Sequence, residues 1–596
     1  MCIRHYFCII PLSLLTSAVD TLTNNRLEWQ QLLPDLTPYQ TLFSQAAQLA
    51  PAEFSAIQPR LANALTLFCQ SRSPSRFMLL KAQESDDYLR LIARAVNANA
   101  SMEKAFYGSL YQISGRHISV EPALHQDDNF AAKVRCEYQE WIEPEQLFGC
   151  VRVFQDNIEL QPGLIHHVNG GVLILSARTL LAQPLMWLRL KQTLVSGQYS
   201  WLSPDERRPL PVDVPPMPVD LRLIVVGDRE SLADIHDMEP DLSEDAIYGE
   251  FESQLSLIAS EDMVRWCAYI NALCQENQLP LLAEDGWSAL VTHAVRYSDD
   301  QGCLPLCPKW LTHQLKHASL YAQQETLSAQ AINDAETTRR WRDSYLYERL
   351  QDDIELGQIL IETDGAVVGQ VNGLSVLEYP GYPMMIGEPT RISCVVHPGD
   401  GELTDVERKA ELGGNLHAKG MMIMQAFLIS ELQLEQQLPF SASIVFEQSY
   451  SEVDGDSASL AELCALISAL ALQPINQQLA VTGSVDQFGH VQPIGGVNEK
   501  IEGFFDVCQR RGLTGQQGVI IPATNQRHLC LRPDVVEAVK NAQFHLYPVS
   551  SVAEAVTLLT QVAYDEEHRP SLLAAIRERI ALLTPQERRR FPWFFR

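Results

Sequence analysis

The sequence is short of positive charge. Lys and Arg total 45 against 74 Asp and Glu, a formal net charge of −29. An acid excess of this size repels phosphate backbones, and no basic run is longer than Arg588-Arg589-Arg590, so general nucleic-acid binding is excluded. Metal-ligand spacing is absent as well. The 13 cysteines are scattered from Cys2 to Cys530 without a CxxC pair, and Cys303 and Cys307 have no second Cys/His pair to complete a zinc site. They are expected as reduced thiols in the cores of a cytoplasmic protein. Glycine and proline, at 31 and 33, are too few for a collagenous or low-complexity chain. Membrane-spanning runs are missing too. The apolar run from Tyr6 to Val19 is broken by Pro11 and too short to cross a bilayer. With Arg4 and His5 before it, the segment fits a signal peptide's n- and h-regions or an extension upstream of a start near Leu22. The extension is preferred for residues 1–21, because everything downstream reads as cytoplasmic.

What is present is ordinary globular material, 46% hydrophobic and 20% charged over 596 residues, enough for about three to five domains. From about Leu27 to Val96 the spacing predicts mainly helix, interrupted by a strand at Arg76–Leu80. Between about Phe148 and Leu257 short apolar strands alternate with helices. Val168–Ala177 and Leu221–Asp228 have the continuous apolar character of buried parallel strands, and Pro209–Pro218 reads as an extended loop. From about Ser260 to Ile354 apolar residues recur at helical spacing with no strand run. Around Gly365 the pattern turns to alternating strands. These shifts divide the chain into an α/β region at 22–258, a helical subdomain at 259–364, an α+β domain at 365–565 and a basic-aromatic tail at 566–596. No role is assigned to that tail.

An α/β region followed by a helical subdomain suggests an AAA+-type ATPase module, whose chemistry has fixed requirements. A P-loop needs glycines so that backbone N–H groups can cradle phosphate, with Lys and Ser/Thr opening the next helix. The topologically correct place is the strand Arg76–Leu80, the loop after it and the helix from Tyr88. That loop reads KAQESDD, without glycine, and Glu84, Asp86 and Asp87 would oppose any phosphate. A Walker-B strand should end in two acids, yet the run Val172–Leu175 leads into Ser176-Ala177. With both halves absent, the expectation is an ATPase-shaped scaffold that does not hydrolyse ATP. No cofactor or metal is expected, and a role for Mg-ATP is left open by these residues.

The chemistry concentrates between Phe446 and Lys500. Here a strand leads to a tight Asp454-Gly455-Asp456 turn, and Ser457 is expected to open an Ala/Leu-rich helix that Pro474 ends. A hydroxyl at a helix start sits beside unpaired N–H groups and the positive end of the dipole, ground suited to an oxyanion, although a serine there is also an ordinary N-cap. Downstream the chain predicts a hairpin around Asp486–Gly489, a Pro493-Ile494-Gly495-Gly496 turn and a helix from about Asn498. Lys500 falls in its first turn among Ile494, Val497 and Ile501, where dipole and apolar surroundings both favour the neutral amine. Such an amine can take a proton from a serine hydroxyl, as in Ser-Lys hydrolases.

These segments resemble the Lon protease family. TGSVDQFGHVQPIGGVNEK (Thr482–Lys500) matches the family's second motif, and GDSAS (Gly455–Ser459) is similar to the nucleophile motif of its B-type branch. The separations of 43 residues from Ser457 to Lys500 and 18 from Thr482 to Lys500 fit as well. Similarity extends from about Gly369 to Leu559, and more weakly to the upstream α/β region, which lacks the nucleotide-binding residues. The resemblance implies Ser457 as nucleophile, Lys500 as general base, and Thr482 orienting the amine. Asp456 is implied to modulate access or charge, and backbone N–H groups including Ala458 to hold the oxyanion. His417 is expected to be structural. The implied fold is a degenerate AAA+-like α/β domain and helical subdomain followed by a Lon-type α+β protease domain. The implied protein is a cytoplasmic, ring-forming homohexamer that cleaves peptides or unfolded proteins. Two alternatives stand beside it: an ATP-dependent Lon-like protease with a divergent nucleotide site, and a non-catalytic chaperone or adaptor of Lon shape.

Overall fold

The structure, a computed structural model, describes residues 25–583 apart from 71, 100–108, 125–129, 132–133, 156, 204–207, 323–324, 400, 433–439, 450–453 and 567–569. The extension expected over 1–21 and the Arg588–Arg596 end of the tail lie outside the described residues. The described part of that tail forms a helix, Leu572–Leu583. No described helix is long and apolar enough to cross a membrane.

The chain divides into two compact units. One comprises Leu42–Glu284 and Pro305–Ser328; the other takes in the chain up to Thr41, Asp285–Leu304 and everything from Ala329 onward. The helix-rich stretch 259–364 is shared between them. It also contains a strand, Cys303–Pro305, where none was expected. Three residues are too few to carry a periodic signal.

The first unit is built on five strands: β1 (Phe77–Lys81), β2 (Cys136–Gln139), β3 (Val172–Ser176), β4 (Arg222–Gly227) and β5 (Ile247–Glu250). Their order is β5-β1-β4-β3-β2, and every pairing is parallel. Helices cover such a sheet on both faces, which is why β3 is buried along its whole length and β4 along all but its first residue. Because the order is not sequential, the connections diverge at the carboxyl ends of β1 and β4, where open α/β sheets form their ligand crevice. The loop Ala82–Ser85 leaves β1 at that crevice and enters helix α1 (Asp86–Asn97).

The second unit is built on a seven-stranded sheet: β6 (Gln370–Leu377), β7 (Ile386–Pro398), β8 (Leu403–Asp405), β9 (Phe440–Phe446), β10 (Leu479–Val481), β11 (Gly518–Pro522) and β12 (His545–Val549). Their order is β8-β9-β7-β6-β10-β11-β12. The meander β6-β7-β9 is antiparallel, whereas β6, β10, β11 and β12 run parallel. Three helices matter for the site: α2 (Asn415–Leu432), α3 (Ser459–Ala471) and α4 (Val497–Arg511). All 13 residues of α3 are buried, as befits a helix apolar on every side that serves as the centre of a core. Leu472, in the left-handed region at φ 54°, ends it before Pro474. Helix α4 starts from Gly496, also left-handed at φ 63°, and ends at Gly512 with Arg510 and Arg511 in its last turn, where the dipole favours positive charge.

One local expectation is corrected. Ser457 does not open α3: the helix begins at Ser459, with Ala458 in the N-cap position. The backbone carbonyl of Ser457 is drawn instead to the end of β10, accepting from the Gly483 N–H at 2.9 Å and the Thr482 hydroxyl at 3.3 Å. Ser459 turns its own hydroxyl to the Val485 N–H, 3.1 Å away.

Candidate active site

Three separate pieces of chain meet at Ser457. The Asp454–Ala458 turn delivers the serine, Thr482 follows β10, and Lys500 belongs to the first turns of α4. The Lys500 ammonium nitrogen lies 2.9 Å from Ser457 Oγ and 3.4 Å from Thr482 Oγ1. Gly483 lets the turn approach so closely, since a Cβ there would stand 2.9 Å from Leu460 and 3.0 Å from Val491. Of the five residues expected at the site, Ser457, Lys500 and Thr482 are in direct hydrogen-bond reach of one another. Asp456 acts on Lys500 through its charge, and the Ala458 N–H has no acceptor among the described residues.

Lys500 is only 3% exposed. Burial pulls its ammonium down to about 8, against the opposing attraction of Asp456. Of the two causes expected from sequence, the helix dipole and apolar surroundings, burial in apolar surroundings is the one that lowers it. What places the lysine was not legible there. The first turn of α4 packs backbone-to-backbone on β7 at Gly387, where a Cβ would stand 1.8 Å from the Glu499 carbonyl oxygen. Gly503, one turn further, meets the Gly387 carbonyl just as closely. Arg296 then ties the helix down, donating to Glu499 at 2.7 Å and to Glu502 at 2.8 Å.

His417 stands away from Ser457 and Lys500, in a buried cluster. Its Nε2 is 3.1 Å from Asp405 and 3.8 Å from Glu462, and its ring meets Phe446 edge-on at 5.6 Å. Burial alone would lower the imidazole, but the contact with Asp405 and the charges of Glu462, Asp405 and Glu407 outweigh it and hold it above its usual value. Burial pushes Glu462 up to about 7. A structural histidine was expected; its carboxylate partners were not, because they come from β8 and α3, far apart in sequence.

The crevice of the first unit holds a different arrangement. Glu84, in the loop after β1, points its carboxylate between the ends of β3 and β4. It accepts from the backbone N–H of Arg178 at 3.1 Å, Arg178 Nε at 3.0 Å, Ser231 Oγ at 3.2 Å and Ser176 Oγ. Arg178 also donates to the Glu84 carbonyl at 2.9 Å. The Glu84 side chain is 5% exposed. Asp86 and Asp87 are likewise engaged, both with Arg90, and Asp86 also with the Tyr138 hydroxyl. Among the described residues no group of three or more His, Cys, Asp or Glu side chains is arranged to hold a metal ion.

Comparison with known proteins gives two family matches. Residues 362–561 match the Lon protease (S16) C-terminal proteolytic domain, and residues 141–245 match the LonB-like AAA domain. The chain is 53% identical to a Lon protease homolog of Escherichia coli (strain K12), over 96% of this chain and 98% of that protein. A Lon protease homolog of Haemophilus influenzae is 43% identical over 96% of both chains. An archaeal Lon protease of Thermococcus kodakarensis is 26% identical over 71% of this chain and 64% of its own length.

Proposed function

Because the chain belongs to the Lon protease family, we propose that it is a serine endopeptidase that cuts peptides or unfolded proteins with a Ser457–Lys500 dyad and without ATP. The observation that carries this reading is the 2.9 Å contact between Lys500 Nζ and Ser457 Oγ in surroundings that favour the neutral amine. At pH 7 a lysine titrating near 8 is neutral in about one molecule in ten. That amine removes the hydroxyl proton as Oγ attacks the scissile carbonyl. Thr482, accepting from the amine, keeps its lone pair aimed at Oγ. The Ala458 N–H, which has no acceptor among the described residues, lies beside the start of α3 and donates to the oxyanion of the tetrahedral intermediate. Lys500 passes the proton to the leaving amine, and the acyl-enzyme is resolved by water through the same lysine in reverse.

Independence from ATP is supported by the crevice of the first unit. A nucleotide's phosphates would need glycine-rich backbone and a lysine there. The loop instead supplies a buried carboxylate that already takes the available donors, and Ser176 stands where a magnesium-holding acid would be needed. These residues do not fit a nucleotide, and no step is routed through one. The remaining parts of the reading are a homohexameric ring and a cytoplasmic location, both following family membership; sedimentation of the purified protein tests the first.

The decisive experiment measures hydrolysis of unfolded casein and a fluorogenic peptide by the wild type, Ser457→Ala and Lys500→Ala, with and without Mg-ATP. A loss of at least about 1,000-fold in each variant, with no response to ATP, is the expected result. Strict dependence on ATP overturns the reading of the crevice. Holdase activity without hydrolysis by an assembled wild type points to the chaperone.

A further inference from the structure

The groove containing Ser457 and Lys500 encloses about 760 Å³. It is rich in carboxylates: Glu388, Glu447, Asp454 and Asp456 all line it. Three of these have work within the protein. Glu447 accepts from the Ser393 hydroxyl at 2.7 Å, Asp454 from the Leu416 N–H at 3.2 Å, and Asp456 acts on the Lys500 ammonium. Glu388 is the exception. Its side chain makes no hydrogen bond or ion pair with any described residue, although burial pushes its carboxyl up to about 7. Among the described residues burial is the only cause of that shift, so none of their cations stands near enough to offset it. This includes Arg391, three residues along β7 in the same groove, whose own Nε is buried without a partner.

A half-hidden carboxylate without a partner is costly to keep, unless something from outside supplies the missing charge. The groove also offers aliphatic walls, from Leu350, Ile359, Leu374 and Val376. An arginine or lysine side chain has the matching form, an apolar stem ending in a cation. We propose that Glu388 is a specificity-determining residue that selects substrates carrying an arginine or lysine, whose cationic head its carboxylate receives in the groove beside Ser457 and Lys500. Arginine is favoured over lysine, because its planar fork can pair with both carboxylate oxygens. The proposal rests on the hydrolase reading above and adds to it the chemistry of the substrate.

The test is a digest of unfolded casein by the full-length protein, with every cleavage site sequenced by mass spectrometry, for the wild type, Glu388→Gln and Glu388→Asp. The wild type is expected to show arginine and lysine enriched at one fixed position relative to the cut bond. The enrichment should vanish in Glu388→Gln and partly return in Glu388→Asp. Matched fluorogenic peptides carrying arginine or norleucine at that position should then differ in kcat/KM by at least about tenfold in the wild type, the size of one charge-assisted pair, and be near parity in Glu388→Gln.

A second readout needs no variant. The arginine preference of the wild type should grow as pH rises through about 7, because Glu388 attracts a cation only when ionised. Taking the ratio of the two peptides cancels the titration of Lys500, which both share. Identical cleavage profiles in wild type and Glu388→Gln, or a preference indifferent to pH, overturn this proposal alone. Absence of cleavage by the wild type, or cleavage that survives Ser457→Ala, overturns the hydrolase reading and this one with it.

Discussion

The two large sheets of this protein each have a glutamate beside them, one in a crevice and one in a groove, and the two glutamates stand in opposite conditions. Glu84 enters the crevice of the first unit and is met by Ser176, Arg178 and Ser231. Glu388 lines the groove of the second and meets no partner among the described residues. A buried polar group whose hydrogen bonds are complete closes a site, since a ligand would have to break all of them. One whose bonds are missing leaves the site ready for a ligand. The residue type is the same; what differs is the number of donors that the neighbouring strand ends supply.

The sharpest way to break the contrast is to loosen the open site from behind. In Gly387→Ala the new methyl collides with the backbone of Glu499 rather than with a flexible side chain, so α4 must move off β7 and carry Lys500 with it. Peptide hydrolysis should fall at least about 100-fold in a protein that remains folded by circular dichroism, as expected for a base displaced by about an ångström. Activity within a factor of ten of wild type would mean that something else seats the lysine.

Next in size is the effect of pH. Burial pulls Lys500 down to about 8 and the proposed mechanism uses its neutral form, so kcat/KM for a neutral peptide should rise about tenfold per unit towards pH 8 and then level off. Asp456 holds the ammonium form in place, so Asp456→Asn should move the midpoint to lower pH. A midpoint that stays put removes Asp456 from the electrostatics of the site. Thr482→Val should cost roughly tenfold in kcat, because it removes the acceptor beside the amine and one of the two donors on the Ser457 carbonyl. A loss confined to KM would reassign Thr482 to substrate binding.

The smallest effect on hydrolysis is expected at the closed site. Glu84→Ala should leave peptide turnover at 25 °C unchanged. It should lower stability by about 1–3 kcal/mol, because the buried Ser176 hydroxyl loses its acceptor, whereas Ser231 keeps Asp228 Oδ1 at 2.7 Å. Calorimetry would register this as a drop of several degrees. A rise in the melting temperature of the wild type on adding Mg-ATP would contradict the closed crevice altogether.

Much of this contrast can be traced to residues that are neighbours in sequence. The runs Val172–Ser176 and Arg222–Gly227 announce buried parallel strands, and a loop of KAQESDD announces a crevice unsuited to phosphate. The sequence motifs also bring Ser457, Thr482 and Lys500 under suspicion together. The missing parts are those that depend on residues distant in the chain. Nothing near Glu84 indicates that its donors lie 92 to 147 residues away. Gly387 is an unremarked glycine in a strand until α4 arrives against it, and Arg296 looks like any surface arginine until Glu499 and Glu502 face it. Ser457 looks like a helix opener for the same reason, although the helix begins at Ser459. Local propensity favours the N-cap, whereas the donors on its carbonyl come from Thr482 and Gly483, 25 and 26 residues on.

The complete burial of α3 has a bearing on how such a molecule would wear out. A segment with no surface of its own cannot fray or open by itself, so its amide hydrogens should be among the last in the chain to exchange with heavy water. Ser457 lies two residues ahead of that segment and is fastened to the end of β10 through the Gly483 and Thr482 contacts. Warming should therefore not dull the nucleophile by degrees; turnover and heat-capacity peak should be lost over the same few degrees. Any faster switching of activity has to act on what reaches the groove, not on the serine itself.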